Sequence, residues 1–201
     1  MLTSTLDDVH AYWFGPLPAF DSFPMDKFPL WFGGDEAVDR EVTARFGGAL
    51  EAAGKAEIDV AGLTSSQQVG LVVLLDQLSR NIHRNAPAAY ALDQLARSHA
   101  ATAIANGFER FKLVERVFVI LPFGHSEMLA DQDRALSAYL DDIAPFAPEG
   151  HRFYEACRIQ AQKYRDIIAR FGRFPHRNAV LGRATTAEEA QFMAETRMMP
   201  F

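Results

Sequence analysis

Apolar residues along this chain recur at steps of three and four, the period of a helix face, and rarely alternate. Val38, Val42, Phe46, Ala49, Leu50 and Ala53 make one such stripe and predict a helix over about 35–54. Thr64 with Gln67 three residues on is a capping box that opens the next helix. There Leu71, Leu74, Leu75, Leu78 and Ile82 share one face while Val69, Val72 and Val73 fill the others. A helix apolar almost all round belongs at the buried centre of a fold. Pro87 suits a first helical position, and Leu92, Leu95, His99, Ala103 and Ile104 follow inward until Gly107 stops the run. A short apolar helix at about 111–121 should end at Pro122. Another, N-capped by Ser126 and running to about 143, should turn Leu136, Tyr139, Leu140 and Ile143 inward. Phe153, Cys157, Ala161, Tyr164, Ile168 and Phe171 mark a helix over 151–171, closed by Gly172. Thr186 and Glu189 cap a last short helix near 186–196.

No alternating segment competes with these helices, and the one strand-like run, Val117–Leu121, has no partner. The predicted class is all-α. Connections of roughly 4–10 residues favour antiparallel neighbours. One helical domain over 1–201 is expected, with an irregular aromatic and Pro-rich cap over about 13–34, where Trp13-Phe14 and Trp31-Phe32 echo each other. A second echo is Asp-Gln-Leu-x-Arg at 76–80 and 93–97. Its offset is half the period, about 34 residues, of tetratricopeptide repeats, although their Trp-Leu-Gly-Tyr pattern is missing.

Composition narrows the class of function. The one cysteine, Cys157, excludes an internal disulfide and suits a reducing compartment. The first 15 residues carry acids where a signal peptide needs bases, and Val69–Leu75 is far too short to span a membrane. A cytoplasmic protein with no membrane association is expected. A pI near 5.5 argues against nucleic-acid binding. The charge is unevenly spread: residues 1–64 hold eleven acids and four bases, residues 151–183 eight bases and two acids. Sixteen of the 20 bases are Arg, whose planar fork fits carboxylates and phosphates. The basic segment could hold an anionic ligand, or could pair with the acidic first third inside the fold.

Three segments concentrate chemistry at helix ends. In 76–85, Asp76 and Arg80 stand one turn apart, and Asn81, His83, Arg84 and Asn85 follow. Cations there complement the helix dipole, or serve a ligand with Asn81. In 121–132, His125 and Glu127 resemble an acid/base pair or half of a metal site. Only His83 and His176 are obvious further ligands, and no zinc spacing exists, so no metal is expected. In 171–183, Arg173, His176, Arg177, Asn178 and Arg183 cluster about a turn. They could chelate an anion or tie neighbouring helix ends together, pairing with Asp76 or Glu127. No phosphate loop, dinucleotide fingerprint, nucleophile elbow or kinase signature is present, so no cofactor is expected. Cys157, on an apolar face, reads as an inert buried thiol.

These three segments together resemble a bacterial family, domain-of-unknown-function family 924. Its blocks fall on Asp76 to Arg84, on Leu121 to Glu127 with Gln132, and on Phe171 to Arg183 with Thr186, Glu188 and Glu189. Ser79 stands where the family has Pro, and His83 where it has an aromatic, which sets His83 aside as a shared functional residue. The resemblance implies a tetratricopeptide-like stack of helix pairs and no assigned activity. The leading expectation is a concave pocket in which Arg80, Arg84, Arg173 and Arg177 hold an anionic small molecule, with Asn81 and Asn178 orienting it and Asp76 and Arg183 in its lining. An interaction scaffold for a protein partner, with the clusters as struts, is one alternative. A hydrolase or transferase using His125, Glu127 and His176 is another.

Overall fold

The computed structural model describes residues 2–196, and among them there is no strand. The run Val117–Leu121, the one candidate strand, lies inside a helix. Helix α1 (Leu2–Phe14) is followed by a short α2 (Phe28–Phe32), a long α3 (Glu36–Lys55) and α4 (Ser65–Val73). A π-turn at Leu74–Leu78 continues α4 into α5 (Ser79–Ile82). A 3₁₀ turn at Pro87–Tyr90 leads to α6 (Asp93–Ala105) and then α7 (Leu113–Gly124). Helix α8 (Leu129–Ala138) ends in a second π-turn, Tyr139–Ile143, before α9 (Arg152–Phe171) and α10 (Ala187–Thr196).

Helix α4 is the centre, packed against α1, α6 and α7, as its all-round apolarity requires. Leu71, Val73, Leu74 and Leu75 are wholly buried. The α1 contact is close enough that a Cβ on Gly70 would lie 2.2 Å from the carbonyl oxygen of Leu6, so only glycine fits. The capping boxes at Thr64/Gln67 and Thr186/Glu189 both form, and Gly172 closes α9 in the left-handed conformation at φ 67°.

Five expectations are corrected. The N-terminal cap is more regular than its prolines suggest: Trp13 and Phe14 end α1, whose Leu6 and Val9 are also buried. Trp31, on α2, stacks edge-on against Phe14 and Phe118, so these aromatics are core. Pro87 opens only a 3₁₀ turn, and the α-helix starts at Asp93. Pro122 does not stop α7, which runs on to Gly124. The fully buried Gln132 side chain closes that end by donating to the carbonyls of Gly124 (2.7 Å) and Ser126 (2.6 Å). Ser126 is not the N-cap of α8, which starts after Met128; its Oγ accepts from the Met128 amide and donates to Asp131. Leu140, expected inward, is 46% exposed, because the wider π-turn rotates the apolar face there while Tyr139 and Ile143 stay buried.

Candidate functional site

The first π-turn sets Asp76 on the inner side of the central helix, where it is completely buried. Such bulges often mark functional positions, since they re-aim a side chain out of the helical register. The loop after α7 brings His125 to it. The His125 Nδ1 lies 2.8 and 3.0 Å from the two Asp76 carboxylate oxygens. Gln77 Nε2 donates to the same carboxylate at 2.5 Å, and Arg80 Nη1 donates to the Asp76 carbonyl. Burial opposes ionisation of Asp76, but His125 and Arg80 outweigh it and hold the carboxyl well below the usual range. For His125 burial dominates and Arg80 adds to it, so the ring is pushed toward its neutral form. With Nδ1–H held by a carboxylate, Nε2 carries the lone pair, and it has no hydrogen-bond partner among the described residues.

Around this pair stand a second carboxylate and a second guanidinium. Arg80 Nη2 donates to Asp93 Oδ2 at 3.1 Å, and Arg177 Nη1 lies 3.6 Å from the same oxygen. Arg177, 6% exposed, also donates to the His125 carbonyl at 3.0 Å. Both guanidiniums lie against the Tyr90 ring, and Arg177 also against Phe174. Burial raises the Asp93 carboxyl and lowers Arg177, so both charges are held at a cost. The Nε of Arg177 and the Nδ1 of His176 are buried with no acceptor or donor opposite them. Burial and Arg177 together pull the His176 imidazole down to about 4.

The remaining predicted residues lie on two other faces. Glu127 does not pair with His125. Arg183 holds it bidentate at 2.7 and 3.0 Å, and the Phe174 amide donates to it at 2.8 Å. Burial works against that charge, but these bonds keep the carboxyl below its ordinary value. Arg173 takes Glu189 bidentate at 2.6 and 2.9 Å, and the Asn178 amide donates to Glu189 at 3.2 Å. Asn81 and Arg84 point the opposite way, to Asp39 of α3, on the floor of an open depression of about 400 Å³. The eight residues assigned to one pocket thus divide: Asp76, Arg80 and Arg177 meet His125 and His176, while Asn81, Arg84, Arg173, Asn178 and Arg183 have other partners.

Charge pairing is internal but does not follow the expected halves. Among the described residues, the arginines of 151–183 pair with acids between Asp93 and Glu189, and none reaches the acidic first third. Sequence reasoning missed Tyr90, Asp93 and Asp39. Asp93 had a signal: it opens the second Asp-Gln-Leu-x-Arg echo, and the two echoed aspartates flank Arg80. The second echoed Arg, Arg97, pairs with Asp131 at 3.1 Å. No group of three or more metal-ligating side chains occurs among the described residues.

Residues 9–197 match the family model described as bacterial protein of unknown function (DUF924). The chain belongs to this family. A solved structure, the protein of unknown function ATU0120 from Agrobacterium tumefaciens, is similar over 97% of this chain and 99% of its own, at 34% identity and a TM-score of 0.81. No curated protein is significantly similar. Among the described residues of this DUF924 chain, no helix is long and apolar enough to cross a membrane.

Proposed function

We propose that this DUF924 protein binds an anionic small molecule at the Asp76–His125 centre, where Arg80 and Arg177 supply positive charge. The observation that carries this reading is Arg177. Arg80, Arg84, Arg173 and Arg183 each donate a hydrogen bond to a carboxylate, whereas Arg177, beside its two ring contacts, has a carbonyl and a long ion pair but no carboxylate hydrogen bond. A buried cation so poorly matched is costly as a structural tie and well suited to an incoming anion. His125, oriented through Nδ1 and shifted by burial toward its neutral form, offers Nε2 as a proton acceptor beside the ligand. This supports acid/base chemistry through His125 with Asp76 as its orienting partner, and gives Glu127 no part in it. A compartment that keeps Cys157 reduced, as in the cytoplasm, suits this reading.

The test is a thermal-shift screen of phosphorylated and carboxylated metabolites on the native protein and on Arg177→Lys. A stabilising compound whose effect is lost in the variant is the expected result. Stabilisation that survives in Arg177→Lys, or a screen without hits, overturns the reading.

The scaffold reading keeps one specific support, the exposed Met25, Phe28 and Phe32 on the N-terminal segment. A protein partner there predicts that Phe28→Ser with Phe32→Ser abolishes its capture by the tagged native chain. Capture unchanged by these substitutions removes that reading.

A further inference from the structure

The anion site just proposed, on which this inference rests, has a charge inventory that limits what it can hold. Two carboxylates, Asp76 and Asp93, stand against two guanidiniums, Arg80 and Arg177. The imidazoles of His125 and His176 are both pushed toward neutrality by burial. The centre is therefore close to electroneutral before any ligand enters. One added negative charge can take Arg177 from its 3.6 Å ion pair with Asp93, and it leaves the centre with a single net negative charge. A doubly charged group would leave two net charges in a desolvated setting, where each uncompensated charge is expensive.

Donor geometry leads to the same class. Arg80 spends Nη1 on the Asp76 carbonyl and Nη2 on Asp93. Arg177 spends only Nη1 on a hydrogen bond, to the His125 carbonyl. Its Nε is buried without a partner, and its Nη2 has none among the described residues. Nε and Nη2 form one edge of the guanidinium, and two parallel N–H bonds from such an edge match the two oxygens of a carboxylate. A tetrahedral dianion has further oxygens to satisfy, and the neighbouring carboxylates Asp76 and Asp93 repel them. The Tyr90 and Phe174 rings, 4.7 and 4.6 Å from the Arg177 guanidinium, favour an acid with an apolar or aromatic body.

We propose that the ligand is an organic acid with a single carboxylate, seated in bidentate fashion on the Nε–Nη2 edge of Arg177, rather than a tetrahedral dianion such as a phosphate monoester or sulfate. Because Nε is buried, its N–H reports an anion seated in the site rather than ions in bulk solution.

The experiment follows the Arg177 Nε–H signal in ¹H–¹⁵N spectra of the full-length native chain, assigned through bonds from its own backbone. Acetate, benzoate, inorganic phosphate and sulfate are titrated separately at neutral pH and constant ionic strength. Acetate or benzoate should move the signal saturably, at concentrations at least tenfold below those needed for phosphate or sulfate. Phosphate or sulfate acting as strongly as the carboxylates overturns the carboxylate assignment and leaves the anion site standing. A signal that none of the four moves overturns both. In Arg177→Lys, thermal stabilisation by benzoate should vanish. The native-chain titration decides the matter even if that variant does not fold.

Discussion

The same residue types build two different kinds of polar cluster in this molecule. At the C-terminal turn, Arg173, Asn178 and Arg183 face Glu127 and Glu189, and every carboxylate oxygen there accepts a hydrogen bond. That cluster is saturated, with Arg173, Arg183 and Glu127 partly exposed and Asn178 and Glu189 buried beneath them, as a tie between α9, the 175–183 turn and α10 should be. The Asp76 centre, a few residues away in the same motif, is deeper and less complete. Its Arg177 and His176 keep buried nitrogens without partners, and its Arg177 and Asp93 are displaced toward their neutral forms. Arg and Asn at helix ends are thus no guide to function by themselves. What separates a strut from a candidate site is whether the donors are already spent.

The contrast can be broken most forcefully at Asp76. Asp76→Ala strands the buried Arg80 and removes the orienting partner of His125. It should cost about 3–5 kcal/mol in urea denaturation, and a loss below about 1 kcal/mol would show that the centre is not a coupled buried network.

His176 provides the next largest effect. Its folded-state pKa is depressed to about 4, whereas an ordinary His takes a proton near 6.5. The unfolded chain is therefore protonated first, so this contribution is full above pH 6.5 and is lost as pH falls toward 4. The expected loss across that window is roughly 3 kcal/mol. An NMR titration of the His176 ring with a midpoint above 6 would refute it.

At the saturated cluster, Glu189→Gln weakens the bonds to Arg173, Asn178 and the Thr186 amide together, for about 2 kcal/mol. Glu189 is drawn down to about 2, chiefly by Arg173, from an ordinary 4.5. Its stabilisation is present above pH 4.5 and disappears as pH falls to 2, and the variant should flatten the acid limb of the stability curve over that range. An unchanged acid limb would mean that the tie is not ionic. Arg84→Ala, which breaks the partly exposed pair with Asp39, should cost under about 1 kcal/mol in the same assay. A cost as large as that of Asp76→Ala would move the energetic centre to the α3 face.

Much of this was legible in the residues alone. Helical period, capping boxes and a glycine stop act through neighbours within one turn, so α3, α4, α9 and α10 could be read directly from spacing. The three motif segments were legible for the same reason: residue type and position relative to a helix end are local facts. Even Asp93 left a trace, in the repeated Asp-Gln-Leu-x-Arg. Partner choice was not legible. His125 has Glu127 two residues away, yet it takes Asp76, 49 residues distant, because a π-turn aims that carboxylate inward and the bend after α7 carries the ring to it. Arg84 turns to Asp39 and Arg173 to Glu189 by the same kind of long-range decision. Local spacing determines which side chains leave a helix at which end, and by itself it fixed the all-α class. Only the packing of α4 among α1, α6 and α7 decided which charges share a low-dielectric space, and hence which guanidinium was left with an edge to offer.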